Sequence, residues 1–320
     1  MKKKRKRRRK SGIARLLEYG AACIIVFVFI VRAAPMRAVR GLGNLLGDLL
    51  YFLGKRRREI AEENLRHAFN GEKNPQEIRD IARKSCRSFF LSFLEIIKLN
   101  HMLARPADRR GRAESAMQRM AAVFEKARRI QQEAGECIFV TPHIGNWEVL
   151  PHVFSAAGIP LTIVARPLDN PYLEKLIYSN RIASGQVIIP KRNALFHLGR
   201  TLRQGRSIGM LPDQSTMKGL LIDFFGRKAT TTPVPAMLAL KYTKPIVVVA
   251  CCRKGEDYRY DVIVSDPIWP GTYTDKKTGI LSITEEMTRR MEAIIRKYPE
   301  QYLWMHNRWK TYRGKKEFLS

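Results

Sequence analysis

The chain has 320 residues, 45% of them hydrophobic, enough for one large or two small domains with a sizeable core. Its 59 lysines and arginines against 29 acids give a formal net charge of +30, which predicts attraction to polyanions: nucleic acid, an anionic bilayer surface, or phosphorylated substrates and carriers. Five cysteines, Cys23, Cys86, Cys137, Cys251 and Cys252, form no C-x-x-C pair and read as reduced, buried packing residues, so a disulfide framework and a cysteine metal site are both excluded.

Residues 2–10 are all basic, a block that buries no apolar area and predicts a disordered tail over residues 1–12. Residues 13–31 are apolar apart from Arg15, Glu18 and Tyr19, and Arg32, Arg37 and Arg40 follow. The uninterrupted run, 20–31, is short for a membrane crossing of about 20 residues, which leaves a tilted, partly inserted or fully crossing helix open. A cleavable signal peptide fits poorly, since no A-x-A-like site follows the run. Residues 42–53 are again apolar around Asp48 and end at Lys55-Arg56-Arg57-Arg58, the pattern of an interfacial or re-entrant helix, so 13–58 reads as a membrane-associated helical unit. Zinc-finger spacing, RNP-like strands and basic heptads are absent, which argues against a nucleic-acid partner.

From residue 59 to 320 the pattern is that of one α/β domain. Asn74-Pro75-Gln76-Glu77 is a helix start with Asn as cap and Glu three residues on. The helix it opens carries Ile78, Ile81, Ala82, Cys86, Phe89, Phe90, Phe93, Leu94 and Ile97 on one broad apolar stripe, which reads as core or as a wall for an acyl chain. A second helix covers 113–134. Strand patterns then fall at 137–141, 161–165, 187–189, 207–211, 246–252 and 260–264, with helix patterns at 146–157, 171–184, 193–204, 233–242 and 284–298. This alternation predicts a mixed, mainly parallel sheet flanked by helices. Residues 213–232, rich in Gly, Lys and Thr, read as a mobile active-site loop.

The chemistry is expected in C-I-F-V-T-P-H-I-G-N-W-E-V-L, residues 137–150, where His143 and Glu148 lie between a strand and a helix. An imidazole can take a proton from a hydroxyl near neutral pH, and a carboxylate beside it fixes the tautomer and stabilises the imidazolium. Five residues of ideal helix would put the two side chains on different faces, so the turn at Gly145-Asn146 has to bring them together. Spacing alone does not select this pair, because His67 and Glu72 are separated by the same interval. Their polar setting, with no strand before it, distinguishes them from groups presented at the carboxyl end of a strand. Arg166, in Arg166-Pro167-Leu168-Asp169-Asn170-Pro171, and Arg181 stand where arginines can grip phosphate, although in so basic a chain they can equally face solvent. Asp213, in Leu211-Pro212-Asp213-Gln214, follows another strand and either orients a basic group or caps a turn.

Taken in order, H-I-G-N-W-E, A-R-P-L-D-N-P, L-P-D-Q with D-F-F-G, T-T-P-V-P and P-E-Q-Y-L-W-M-H-N-R-W-K resemble the lipid A biosynthesis lauroyl/myristoyl acyltransferases of Gram-negative bacteria, within the lysophospholipid acyltransferase superfamily. The match runs from about residue 41 to 310. It departs from the glycerol-3-phosphate acyltransferases in its Glu148 and its Leu-Pro-Asp-Gln, and the basic tail is outside the family pattern. The resemblance implies an inner-membrane enzyme facing the cytoplasm that moves an acyl group from acyl carrier protein, less often coenzyme A, to a hydroxyl of a lipid A precursor. It needs no metal or resident cofactor. His143 and Glu148 would form the catalytic dyad, while Gly145 and Asn146 backbone N–H groups or Arg166 would hold the oxyanion, with Arg181 and Asp213 also binding substrate. The rival readings are acylation of a lyso-phospholipid, aminolipid or glycosylated phosphoinositide, and a membrane-tethered nucleic-acid binder with an inactive α/β domain.

Overall fold

The structure is a computed structural model that describes residues 23–24, 26–103, 122, 124–159, 161–165, 187–190, 193–255, 259–272 and 275–310. After helical residues 26–33, the helices are α1 (Met36–Leu53), α2 (Lys55–Ala68), α3 (Pro75–Leu103), α4 (Glu125–Ala134), α5 (Leu150–Ala156), α6 (Ala194–Arg203), α7 (Val234–Tyr242) and α8 (Lys276–Lys297). The strands are β1 (Ile138–Val140), β2 (Thr162–Ala165), β3 (Val187–Pro190), β4 (Ile208–Met210), β5 (Leu220–Phe224), β6 (Arg227–Thr231), β7 (Ile246–Arg253) and β8 (Tyr260–Val264). The expected helix at 171–184, residues 113–121 and 123 of the one expected at 113–134, and the start of the apolar run at 13–31 lie outside the described residues.

Six strands form one sheet in the order β3-β2-β4-β1-β7-β8, parallel throughout except that β8 runs antiparallel to β7. Each of the six strand patterns in the sequence supplies one of them. Burial on both faces explains the unbroken apolar runs of the central strands β1 and β7, whereas the edge strand β8 is half-buried throughout and carries Asp261. Along β7, Ile246, Val248, Ala250 and Cys252 join the core beneath α2, α7 and α8, while Val247, Val249 and Cys251 face the core built with α4 and α5. Cys86, Cys137, Cys251 and Cys252 are buried, and burial pushes the Cys86, Cys137 and Cys252 thiols up to about 12. Cys23 differs from expectation in being exposed.

Local signals set the helix ends. Asn74 Oδ1 accepts from the N–H groups of Gln76 and Glu77 at 2.9 and 3.0 Å, and Glu77 Oε2 accepts from the Asn74 N–H at 2.8 Å, the reciprocal cap that its sequence predicts. α8 begins eight residues before the expected start, because Asp275 accepts from the Thr278 N–H at 2.7 Å and caps it there. Nor is 213–232 a loop throughout. β5 and β6 pair antiparallel across Phe225 and Gly226, both with positive φ (52° and 73°). The turn lacks the Asn-Gly or Asp-Gly signal, and the charged Arg227-Lys228 opening of β6 interrupts its apolar pattern.

α1 packs on α3 through a small-residue seam: a Cβ on Gly47 would meet the Arg87 Cα at 2.4 Å, so only glycine permits this approach. Its outer stripe, Leu45, Leu49, Phe52 and Leu53, is exposed, as are Val26, Phe27, Phe29 and Ile30 in the preceding helical segment. Among the described residues no helix is long and apolar enough to cross a membrane. Asp48, the charge inside the apolar stretch, accepts from both Arg83 and Arg87 of α3 at 2.6–2.8 Å. Hydrogen bonds from Arg83 and then Arg87 hold its carboxyl well below the usual range despite partial burial. A lowered folded pKa contributes stability above the unfolded value of about 3.9 and loses it as pH falls through the folded value. Asp48→Asn is therefore expected to lower stability by about 1 kcal/mol at pH 7, with the gap to the parent closing below about pH 4 in paired denaturant melts. A gap independent of pH would assign the loss to packing.

Candidate active site

The β1–β4 register builds the centre of the site. Val140 pairs with Met210, and the Thr141 N–H donates to the Met210 carbonyl at 3.0 Å, so the chain leaves both strands side by side. Three residues past each strand end stand His143 and Asp213. Asp213 Oδ1 lies 2.6 Å from His143 Nδ1, and its Oδ2 accepts from the His143 backbone N–H at 2.8 Å. One carboxylate thereby fixes both the ring and the backbone that carries it.

Asp213 is buried, 2% exposed, whereas the His143 side chain is 18% exposed. Burial pushes the Asp213 carboxyl up, but the His143 charge, the two hydrogen bonds from His143 and the Arg308 charge outweigh it and hold the group below its ordinary value. An ionised Asp213 accepts a proton-bearing Nδ1, which leaves the lone pair on Nε2. The Gln214 amide nitrogen is 3.3 Å from that Nε2 and donates to it in this tautomer.

The expected turn is present, with a different task for its residues. Gly145 has φ +60°, and a Cβ there would meet the Cys251 carbonyl oxygen at 2.1 Å. Its N–H donates to the Gln301 carbonyl at 3.2 Å and that of Asn146 to the Cys251 carbonyl at 2.8 Å, so these two N–H groups tie the loop down and are not offered to an oxyanion. The Asn146 side chain is buried and donates to Glu95 at 2.8 Å, and its Oδ1 accepts from the Val149 N–H at 3.2 Å. The helix expected from 146 starts at Leu150 because this loop consumes residues 146–149.

Beneath the loop lies a buried polar network. Arg253 donates to Glu95 at 2.8 Å, to Ser88 and Ser92 at 2.9 Å, and to the Gly145 carbonyl at 3.0 Å. Tyr260 adds a bond to Glu95 at 3.0 Å. With its guanidinium nitrogens matched to acceptors, the pair escapes the penalty of an unpaired buried charge and instead specifies one loop geometry.

The C-terminal motif forms the remaining wall. Leu303 N–H donates to the His143 carbonyl at 3.0 Å, and Asn64 of α2 holds the carbonyls of Trp304 and His306 at 2.7 and 2.8 Å. Arg308, buried, donates to the Thr230 carbonyl and Thr231 Oγ1 of β6 at 2.7 and 2.6 Å. Burial lowers His306, against the pull of the Asp213 carboxylate, and its neutral Nε2 accepts from the Ser215 N–H at 3.2 Å. Burial, then the nearby Asp213 charge, push the Tyr302 hydroxyl well above its ordinary value.

The structure thus gathers His143, Asp213, Gly145 and Asn146. Glu148 lies half-buried on the same loop, but the Nδ1 contact expected of it is made by Asp213. Arg166 and Arg181 lie outside the described residues. His67 packs edge-on against Trp309, with ring centroids 5.1 Å apart, and Glu72 bonds Arg296 at 3.2 Å, so the pair with equal spacing is engaged elsewhere. Sequence reasoning missed Glu95, Arg253, His306 and Arg308. A lone carboxylate in the apolar run S-F-L-E-I-I and an arginine between tryptophans were the available signals, since charges inside apolar stretches need buried partners. Aromatic rings continue from the site along α3: His143 to Trp147 at 5.4 Å, Trp147 to Phe93 at 6.3 Å and Phe93 to Phe89 at 5.1 Å.

Residues 7–311 match the family model described as bacterial lipid A biosynthesis acyltransferase. The chain is 26% identical over 289 residues to the lipid A biosynthesis lauroyltransferase of Escherichia coli (strain K12), covering 89% of each chain. It is 25% identical over 273 residues to the lipid A biosynthesis palmitoleoyltransferase of the same strain, covering 84% of each. A phosphatidylinositol mannoside acyltransferase of Mycolicibacterium smegmatis is 24% identical over 178 residues, 54% of this chain and 56% of the relative. Together with a histidine held by a buried carboxylate at the ends of two parallel strands, the match along nearly the whole chain makes this protein an acyltransferase belonging to the bacterial lipid A biosynthesis acyltransferase family.

Proposed function

We propose that the protein transfers a fatty acyl group from acyl carrier protein, less often coenzyme A, to a hydroxyl of a lipid A precursor. The observation that carries this reading is the 2.6 Å contact of His143 Nδ1 with the buried Asp213, which leaves Nε2 as a base. In the proposed reaction Nε2 takes the hydroxyl proton as the oxygen attacks the thioester carbonyl carbon. The carbon–sulfur bond then breaks, and the leaving thiolate takes the proton from the imidazolium. Asp213 orients the ring and stabilises its charged form. Glu148 contributes negative potential from the same loop, and Arg166 and Arg181 bind anionic groups of the substrates.

The aromatic file from Trp147 to Phe89 supports an acyl-chain wall, and the exposed Leu45, Leu49, Phe52 and Leu53 beside residues 55–58 support seating at the inner-membrane surface facing the cytoplasm. A net charge of +30 suits an anionic leaflet, an acidic carrier protein and a phosphorylated acceptor. The likeness to the phosphatidylinositol mannoside acyltransferase favours one second reading, acylation of a glycosylated phosphoinositide. The test is purified enzyme with acyl carrier protein or coenzyme A thioesters and each acceptor, alongside mass spectrometry of lipids from cells with and without the gene. Loss of one acyl group from lipid A is the expected result. Unchanged lipid A with an altered glycosylated phosphoinositide would move the assignment to the second reading.

A further inference from the structure

An attacking hydroxyl turns the thioester carbonyl into an oxyanion, and hydrogen-bond donors aimed at that oxygen are often the largest single contribution to such catalysis. The N–H groups of residues 143 to 146 do not supply them. They donate in turn to Asp213 Oδ2, the Pro142 carbonyl, the Gln301 carbonyl and the Cys251 carbonyl, at 2.8, 2.7, 3.2 and 2.8 Å. The Asn146 side-chain amide is spent on Glu95.

Gln214 is differently placed. Its backbone is clamped on both sides: the preceding Asp213 grips His143 twice, and the N–H of the following Ser215 donates to His306 at 3.2 Å. Thr216 is tied to Thr230 Oγ1 at 3.3 Å, next to the carbonyl that Arg308 holds. From this rigid base a half-buried side chain reaches the reacting nitrogen, with its amide 3.3 Å from His143 Nε2. An attacking oxygen must take that place at Nε2, and the substrate oxygen that becomes the oxyanion is separated from it only by the carbonyl carbon.

We propose that Gln214 is a catalytic residue whose side-chain amide yields Nε2 to the acceptor hydroxyl and donates to the oxyanion formed beside it. This rests on the acyl-transfer reading above. The oxygen–carbon bond forms while the hydroxyl proton passes to Nε2, and the carbonyl electron pair moves onto the oxygen that Gln214 holds. When the carbonyl re-forms, the carbon–sulfur bond breaks and the thiolate is protonated by His143. No further reactant enters.

The experiment compares Gln214→Ala, the near-isosteric Gln214→Met and Gln214→Glu with the parent and with His143→Ala, using purified full-length enzyme, an acyl carrier protein thioester and a lipid A precursor. The expected result is a kcat loss of about 10²- to 10³-fold for Ala and Met with little change in KM for either substrate, and a larger loss for Glu, whose carboxylate repels the oxyanion. The pH–rate profile should fall uniformly, whereas a residue that merely held the imidazole would displace its acid limb. Parent-like turnover in Ala and Met, a loss confined to KM, or a displaced limb overturns the proposal. So does parent-like Gln214→Ala beside an inactive Arg166→Lys, which would put the donor on Arg166. An active His143→Ala would instead sink the acyl-transfer mechanism itself, and an inactive one beside an active Gln214→Met sinks the role of Gln214 alone.

Discussion

His143→Ala is expected to lower acyl transfer by about 10²- to 10⁴-fold, the usual cost of losing a general base. Its imidazole stands just beyond the end of β1, with one nitrogen committed to Asp213 and the other directed at Gln214. Removing it also strips a buried carboxylate of a hydrogen bond, which destabilises by roughly 1–3 kcal/mol. His143→Gln separates the two effects, because an amide can still donate to Asp213 but cannot accept a proton from a hydroxyl. Both variants should lose turnover, and the Gln variant should melt closer to the parent. His67→Ala should stay within a fewfold of the parent rate, since His67 packs on Trp309. Normal turnover by folded His143→Gln, measured with saturating thioester, would remove His143 from the chemistry.

For Asp213→Asn the expected loss reaches about 10⁴-fold, as when the carboxylate of a histidine–carboxylate pair becomes an amide. An amide facing Nδ1 can donate as well as accept. It therefore permits the tautomer whose proton sits on Nε2, and the base disappears without any loss of shape. Nitrogen chemical shifts of the His143 ring should report the exchange directly, with Nδ1 protonated in the parent and Nε2 protonated in Asp213→Asn. Glu148→Gln should leave the ring tautomer unchanged even where the rate falls, because Asp213 still holds Nδ1. The double variant His143→Ala/Asp213→Asn should lose much less than the product of the single losses, as expected of groups that act as one unit. A parent-like tautomer and rate in Asp213→Asn would reduce that residue to a loop anchor.

The sheet was legible because its central strands are buried and all six read as short apolar runs between helices, and the start of α3 was legible because Asn74 and Glu77 cap it through bonds within three residues. The cap is a set of bonds between near neighbours, and each strand is a run of residue types within one short segment. The α8 cap and the β5–β6 hairpin were equally local but were masked, the first by a polar opening turn and the second by a positive-φ turn at Phe225 without the usual residues.

The sequence by itself determined that His143 stands at a strand end in an acyltransferase-like series of motifs, with a glycine where the backbone has to turn. Only the tertiary structure decided which acid touches its Nδ1. Glu148 is five residues away along a loop whose N–H groups are pulled toward Gln301 and Cys251, whereas Asp213 is 70 positions away and 2.6 Å distant. That proximity comes from the register of two parallel strands, Val140 against Met210, and register is a property of the assembled sheet. The same holds for Glu95 and Arg253, 158 positions apart, which become a site element only when α3 and β7 close over the loop between them. A chain position can announce that it carries a reactive group; which buried charge comes to face it follows from the packing of distant segments.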